Sequence, residues 1–273
     1  MKKKRILPTL IAALASAGFA QQPEPAAVPI KLWRLDCGTI DVTLSGYSDT
    51  GLYRGRTRRL VASCYLIKNG DRYMIWDTGL NGALEGKPRN EDGNYLKERI
   101  VPQLDRIGVK PEDISFVGVS HYHFDHIGQL GDFPGATLLI GREDLEVLKS
   151  PDWPGSDMSY WTGGKGKVEP VRGDKDVFGD GRVVMLNMPG HTPGHHSLYV
   201  RLASGPVMLS GDQYHFTEQV ANKGVPGFNT SRADTLASHD RFERIAANFN
   251  AKVIIQHEPD DVAKLPAFPD AAQ

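Results

Sequence analysis

The chain has 273 residues, 40% of them hydrophobic, with 32 basic and 33 acidic side chains and a formal charge of -1. That length and apolar content fill the core of one large domain or two small ones, which excludes a chain too polar to fold. No basic stripe offers a footprint for nucleic acid.

The first twenty residues, MKKKRILPTLIAALASAGFA, pass from a basic stretch (Lys2 to Arg5) through a short apolar run (Ile6 to Leu14) to small residues ending at Ala20. This is the order of a secretory signal peptide. The apolar run falls far short of the ~20 residues that span a bilayer. Cleavage after Ala20 is therefore expected, leaving a periplasmic or secreted chain with no stable membrane anchor. The basic stretch has no twin arginine, so the general secretory route is expected. Losing its four positive charges takes the formal charge from -1 to -5. Residues 21–30 read as a Pro-rich linker and residues 31–273 as the folded domain.

Short apolar runs bounded by turn residues follow: IKLWRL, VASCYLI, YMIWDTG, ISFVGVS, ATLLIG, RVVMLNM, SLYVRL, PVMLSGD and KVIIQH. Their length and their Val, Ile and Tyr content predict strands. Helical spacing marks Tyr95 to Ile107, Arg142 to Lys149 and Arg232 to Asn248. The second opens with Glu143 and Asp144, whose negative charge suits the helix dipole. Strands and helices mixed in this order predict a layered α/β architecture, two sheets covered by helices.

Ser45 to Arg59 and Ser150 to Lys167 read as long loops, which in a compact domain are usually functional or disordered. The second holds Trp153, Tyr160 and Trp161, which suit an apolar substrate if exposed and a self-packed loop if not. Cys37 and Cys64 each lie in an apolar run; they can pair in an oxidising compartment or remain two buried thiols.

The segment SHYHFDHIGQL, Ser120 to Leu130, follows one of these strands and concentrates the chemistry. In an extended segment alternate side chains share a face, so His121 and His123 point to one place. If the chain then turns, Asp125 and His126 face a second place. Imidazole and carboxylate donors suit zinc or a similar divalent metal. The composition would produce H-x-H-x-D-H by chance in about one such chain in a thousand. Further donors occupy strand exits: His191 in MPGHTPGH, Asp212 in LSGDQYHF and His257 in KVIIQHEP. Asp77 in IWDTG can be a ligand or a partner that orients one. His195, His196 and His239 read as hydrogen-bonded structural residues.

This pattern resembles the metallo-β-lactamase superfamily from about Lys31 to His257. The resemblance implies a four-layer αββα sandwich with metals at one edge of the sheets. It also implies two zinc ions per chain, one held by His121, His123 and His191 and the other by Asp125, His126 and His257, with Asp212 bridging. Two such ions share a hydroxide that attacks a carbonyl, and Asp125 would orient it and pass a proton to the leaving group.

Within the superfamily, an Asp at position 212 resembles lactonases, thioesterases and phosphodiesterases rather than β-lactamases. SHYHFDHIG, PGHTPGHHSL and the spacings of 65, 21 and 45 residues that link His126, His191, Asp212 and His257 resemble the N-acyl homoserine lactonase branch. That branch implies a small acyl lactone as substrate. It usually carries a Tyr three residues after the bridging Asp; here Tyr214 comes two residues after and His215 three. The donor to the substrate carbonyl is expected to be Tyr214, with His215 and Tyr122 as the alternatives. Other ester, thioester or β-lactam hydrolysis on the same fold is the second reading, and an exported, non-catalytic zinc protein the third.

Overall fold

The structure is a computed structural model that describes residues 28–150 and 158–273. The signal segment, residues 21–27 of the linker and Trp153 lie outside the described residues. The first sheet contains β1 (Lys31–Thr43), β2 (Thr57–Asn69), β3 (Arg72–Trp76), β4 (Asn94–Tyr95), β5 (Ile114–Gly118), β6 (Thr137–Gly141) and β7 (Val168–Val171), in the order β4-β1-β2-β3-β5-β6-β7. The second contains β8 (Lys175–Asp176), β9 (Val183–Asn187), β10 (His196–Leu202), β11 (Gly205–Leu209) and β12 (Lys252–Ile254), in the order β12-β11-β10-β9-β8.

Strand alternation builds the layers. Along β2 and β3, Tyr65, Ile67, Met74 and Trp76 point between the sheets, where they meet Met185, Leu198, Val200 and Leu209. Their neighbours Cys64, Leu66 and Ile75 point the other way. There they pack against α1 (Ile100–Asp105), α3 (Arg142–Lys149) and α4 (Ser159–Thr162). The second sheet buries Leu186, Tyr199 and Met208 against Phe242 of α6 (Arg232–Asn248). Short α2 (Phe124–Ile127), α5 (Thr217–Asn222) and α7 (Pro259–Val262) complete the chain. The fold is the four-layer αββα sandwich that the resemblance implies. No helix among the described residues is long and apolar enough to cross a membrane.

The helical segments Arg142 to Lys149 and Arg232 to Asn248 form as their spacing predicts. The segment from Tyr95 does not: Tyr95 pairs with Thr39 in β4, and the helix runs only from Ile100 to Asp105. The segment expected to loop as far as Arg59 already pairs from Thr57 onward, because β1 continues to Thr43 and supplies partners. In the second expected loop, Ser159–Thr162 is helical and Trp161 is 4% exposed, inside the core formed with α1 and α3. Its indole is part of the core and not a face for substrate. Cys37 and Cys64 form a disulfide across β1 and β2, beside the β-bulge between Asp36 and Thr39.

Candidate metal centre

Strand register places the donors. In the parallel pair β11 and β12, Leu209 faces Ile254, so Asp212 and His257, each three residues on, leave the sheet side by side. In the parallel pair β3 and β5, Trp76 faces Gly118, which sets Asp77 beneath the start of the histidine cluster. His191 lies in the turn joining the antiparallel strands β9 and β10. All of these ends open on one edge of the sandwich.

Two sets of donors converge there, His121, His123, His191 and Asp212 in one and Asp125, His126 and His257 in the other. In the first, His121 Nε2 lies 2.9 Å from His123 Nδ1 and 3.1 Å from His191 Nε2, which is 3.0 Å from His123 Nδ1. Three ring nitrogens in mutual contact cannot all be satisfied by donating to one another. Around a tetrahedral zinc with bonds of about 2.0–2.1 Å they would stand roughly 3.3 Å apart. In the second set His126 Nε2 and His257 Nε2 are 3.2 Å apart. Asp125 approaches to 3.9 Å from His126 and 3.7 Å from His257.

Asp212 joins the sets. Its Oδ2 is 3.2 Å from His191 and 3.5 Å from His121, and its Oδ1 is 3.2 Å from His126 and 3.0 Å from His257. Burial alone would raise this carboxyl, but His257, His126, His215 and His121 hold it well below the usual range. Burial pushes the His123 ring down to about 3 and keeps His121 well below its ordinary value, so both present lone pairs. Burial also opposes charge on His126, yet Asp212, Asp77 and Asp125 hold that ring well above its usual value. Such a charge balance suits cations, which supply the positive charge that protons otherwise bring.

The outer ring nitrogens are anchored, which fixes each ring's orientation. His126 Nδ1 meets Asp77 Oδ2 at 3.0 Å, His191 Nδ1 meets Asn229 Oδ1 at 2.9 Å, and His257 Nδ1 donates to the Val61 carbonyl at 2.7 Å. Asp77 therefore sits behind one of the donor histidines, accepting also from the Ser120 backbone N–H and from Gln256 Nε2. His195 bridges the Asp212 N–H and the Met188 carbonyl, and His239 meets the Gln213 carbonyl. His196 contacts two backbone carbonyls. Gly211, at φ +55°, leaves room for His195; a Cβ there would come within 2.5 Å of its Nε2.

Tyr214 departs from expectation. Its hydroxyl donates to Glu243 Oε1 at 2.6 Å and its ring stacks on His239, both residues of α6 and neither among the metal donors. The cause is local backbone geometry. Gly211 at φ +55° and Asp212 at φ -99°, ψ 30° turn the chain sharply after β11, and Tyr214 is extended, which sends its side chain and that of His215 to opposite sides. His215 thus returns to the centre, with Nε2 3.1 Å from Asp212 Oδ2.

The sequence reading did not single out three other neighbours. Asp144 accepts from Thr192 Oγ1 at 2.8 Å and from the Gly194 N–H at 2.6 Å, clamping the turn that carries His191. Tyr47 and Phe228 place aromatic rings against His215, at centroid distances of 4.9 and 5.8 Å. Asp144, an acid at a helix start, and Tyr47, inside the long loop from Ser45 to Arg59, left a trace in the sequence pattern; Phe228 left none.

Residues 57–257 match the metallo-beta-lactamase superfamily. The chain is 33% identical over 264 residues to the N-acyl homoserine lactonase AttM of Rhizobium radiobacter, covering 88% of this chain and 98% of that one. It is 28% identical over 257 residues to an N-acyl homoserine lactonase of a Bacillus species, with the same coverage of both chains, 88% and 98%. Among solved structures, a quorum-quenching N-acyl homoserine lactone lactonase superposes with a TM-score of 0.77 at 24% identity, over 90% of this chain and 99% of that one. The dizinc quorum-quenching lactonase AidC superposes with a TM-score of 0.63 at 16% identity, over 90% of each chain. The chain belongs to the metallo-beta-lactamase superfamily, and it is one of that superfamily's metal-dependent hydrolases.

Proposed function

We propose that this protein is an exported dizinc enzyme that opens the lactone ring of N-acyl homoserine lactones. The observation that carries the reading is the pair of donor sets joined by the two oxygens of Asp212, in a chain whose curated relatives are lactonases. Bound there, two divalent cations would supply a water of lowered pKa and positive charge facing a substrate carbonyl. His121, His123 and His191 would hold one and Asp125, His126 and His257 the other.

The chain's own groups divide the remaining work. Asp125, partly exposed at the rim, is placed to orient the attacking water and to return its proton to the departing ring oxygen. The water oxygen forms a bond to the carbonyl carbon, the ring C–O bond breaks, and the product is an N-acyl homoserine carboxylate. Phe124, on the same helical turn as Asp125, is 56% exposed, and it lines a cavity of about 560 Å³ with Leu80, Leu84, Ile127, Leu130 and Met158. That wall suits an acyl chain.

The export reading is supported by the N-terminal segment and by the Cys37–Cys64 disulfide, a bond that persists in oxidising compartments. Mass spectrometry of periplasmic and secreted fractions tests it; a cytoplasmic protein retaining Met1 contradicts it. The activity is tested by offering the zinc-loaded mature chain an acyl homoserine lactone, a cephalosporin and a thioester side by side. Lactone opening at the highest kcat/KM is expected. Faster turnover of the cephalosporin would move the protein to the β-lactamases.

A further inference from the structure

We propose that the phenolic hydroxyl of Tyr47 is the hydrogen-bond donor this chain presents to the lactone carbonyl oxygen at the metal centre. The assignment rests on the lactonase reading above.

The three groups expected from the sequence are already engaged. The Tyr214 hydroxyl is held by Glu243, His215 Nε2 faces Asp212, and the Tyr122 hydroxyl is hydrogen-bonded with Thr230. The Tyr47 hydroxyl has no hydrogen-bond partner among the described residues. Its side chain is only partly exposed, so it borders the centre without being sealed from it.

Tyr47 reaches this place from a different part of the chain, the 3₁₀ turn that follows β1. Its N–H donates to the Leu44 carbonyl at 3.0 Å. Its own carbonyl accepts from Gln219 Nε2 at 2.9 Å, and Oε1 of the same fully buried amide accepts the His215 N–H at 2.7 Å. One glutamine thus locks the backbones of Tyr47 and His215 together. The loop is tied again where the Asp49 N–H donates to Val225 O and the Gly227 N–H to Gly46 O, each at 2.8 Å. The ring then stands edge-on to His215 at 4.9 Å and to Phe228 at 5.3 Å.

The surroundings also hold the phenol in its donating form. Burial, and after it the negative charges of Asp125 and Asp212, push Tyr47 far above the ordinary tyrosine value. The ring lies against His215, whose Nε2 is 3.1 Å from Asp212 Oδ2, so the phenol borders the reacting centre, and it remains protonated throughout the working pH range. Its contribution is a fixed hydrogen bond that strengthens as negative charge develops on the carbonyl oxygen; it transfers no proton.

The test is Tyr47→Phe, which keeps the ring contacts and removes only the hydroxyl. Its kcat on an acyl homoserine lactone should fall by about 10²–10³, the usual loss for one such donor, with KM changed much less. Zinc content and thermal midpoint should match the wild type. Calorimetry with a cyclic phosphonate, a mimic of the tetrahedral species, should show affinity weakened by a comparable factor. Wild-type kcat and phosphonate affinity in the variant would overturn the assignment, and so would loss of zinc, which would make the residue structural. The wild-type lactone assay is read first: no turnover there removes the lactonase reading and this assignment together, whereas wild-type turnover with an unaffected variant removes only the assignment.

Discussion

Nδ1 of His126 and Oδ2 of Asp77 lie 3.0 Å apart, both fully enclosed, and this contact aims the opposite nitrogen of the ring at the metal centre. Asp77 sits at φ +57°, a left-handed conformation that Asn also tolerates. Asp77→Asn therefore leaves the backbone unstrained while replacing an acceptor oxygen by an NH₂ group facing donors. Affinity for the cation held by Asp125, His126 and His257 should fall by about 10–100-fold. Competition with a chelator measures this; unchanged affinity would reduce Asp77 to a packing role.

Asp212 makes a sharper prediction, because each of its oxygens serves a different set of histidines. Asp212→Ala removes the carboxylate that reaches both donor sets and would offset charge between two cations bound there. Elemental analysis of the purified variant should find fewer than two zinc ions per chain, against two in the wild type. A wild type with a single tightly held ion, unaltered by the substitution, would contradict the bridging role.

The contrast between Asp212 and Tyr214 shows what the sequence could disclose. The donors are legible because they cluster in one short segment or follow apolar runs, and strand exits converge in an α/β fold by topology alone. The direction of Tyr214 was not legible because it depends on the irregular turn at Gly211 and Asp212 and on the extended residue that follows, where a shift of one residue exchanges the two sides. The place of Trp161 stayed open because composition does not tell an exposed aromatic from one closing a core. Tyr47 lies in the Ser45 to Arg59 loop, but nothing local singles it out there: its place is set by Gln219, 172 residues away in sequence.

Asp144 gives the protein a pH-dependent stability. Burial raises its carboxyl to about 7, against the partial relief provided by Thr192 and the Gly194 N–H. An acid whose pKa is higher in the folded state binds more protons folded than unfolded, so its contribution is most favourable below about pH 4 and is lost as pH rises toward 7. The span corresponds to up to about 4 kcal/mol, at about 1.4 kcal/mol per unit. Asp144→Asn should remove this part of the pH dependence, so that its stability relative to wild type improves between pH 4 and 7. Urea unfolding at several pH values would show it; parallel curves for the two proteins would refute it.

The Cys37–Cys64 bond closes a separation of 27 residues. Restricting an unfolded chain by a loop of that size stabilises the fold by about 3.5 kcal/mol in the chain-entropy account. The double variant Cys37→Ala with Cys64→Ala should lose roughly 2–4 kcal/mol in denaturant unfolding while keeping its zinc, since neither cysteine is among the donors. A variant as stable as the wild type would show that the bond adds nothing to the fold.

Acyl-chain selectivity should reside in Phe124 and not in Trp161. Trp161 is 4% exposed and packed in the core beside α3, so Trp161→Ala should cost about 3–5 kcal/mol of stability without altering the preference among lactones. Phe124 is exposed and borders the cavity shared with Leu80, Leu84 and Met158. Each methylene buried there stabilises the bound substrate by ~0.8 kcal/mol, or about fourfold, until the cavity is filled. Binding of this kind is the same in the ground and transition states, so it should appear in KM, with kcat nearly constant along a series from butanoyl to decanoyl lactones. Phe124→Ala removes one wall and should flatten that slope while leaving the butanoyl lactone nearly unaffected, because a short chain scarcely reaches the cavity. A slope unchanged in Phe124→Ala but lost in a folded Trp161→Ala protein would place the acyl chain elsewhere.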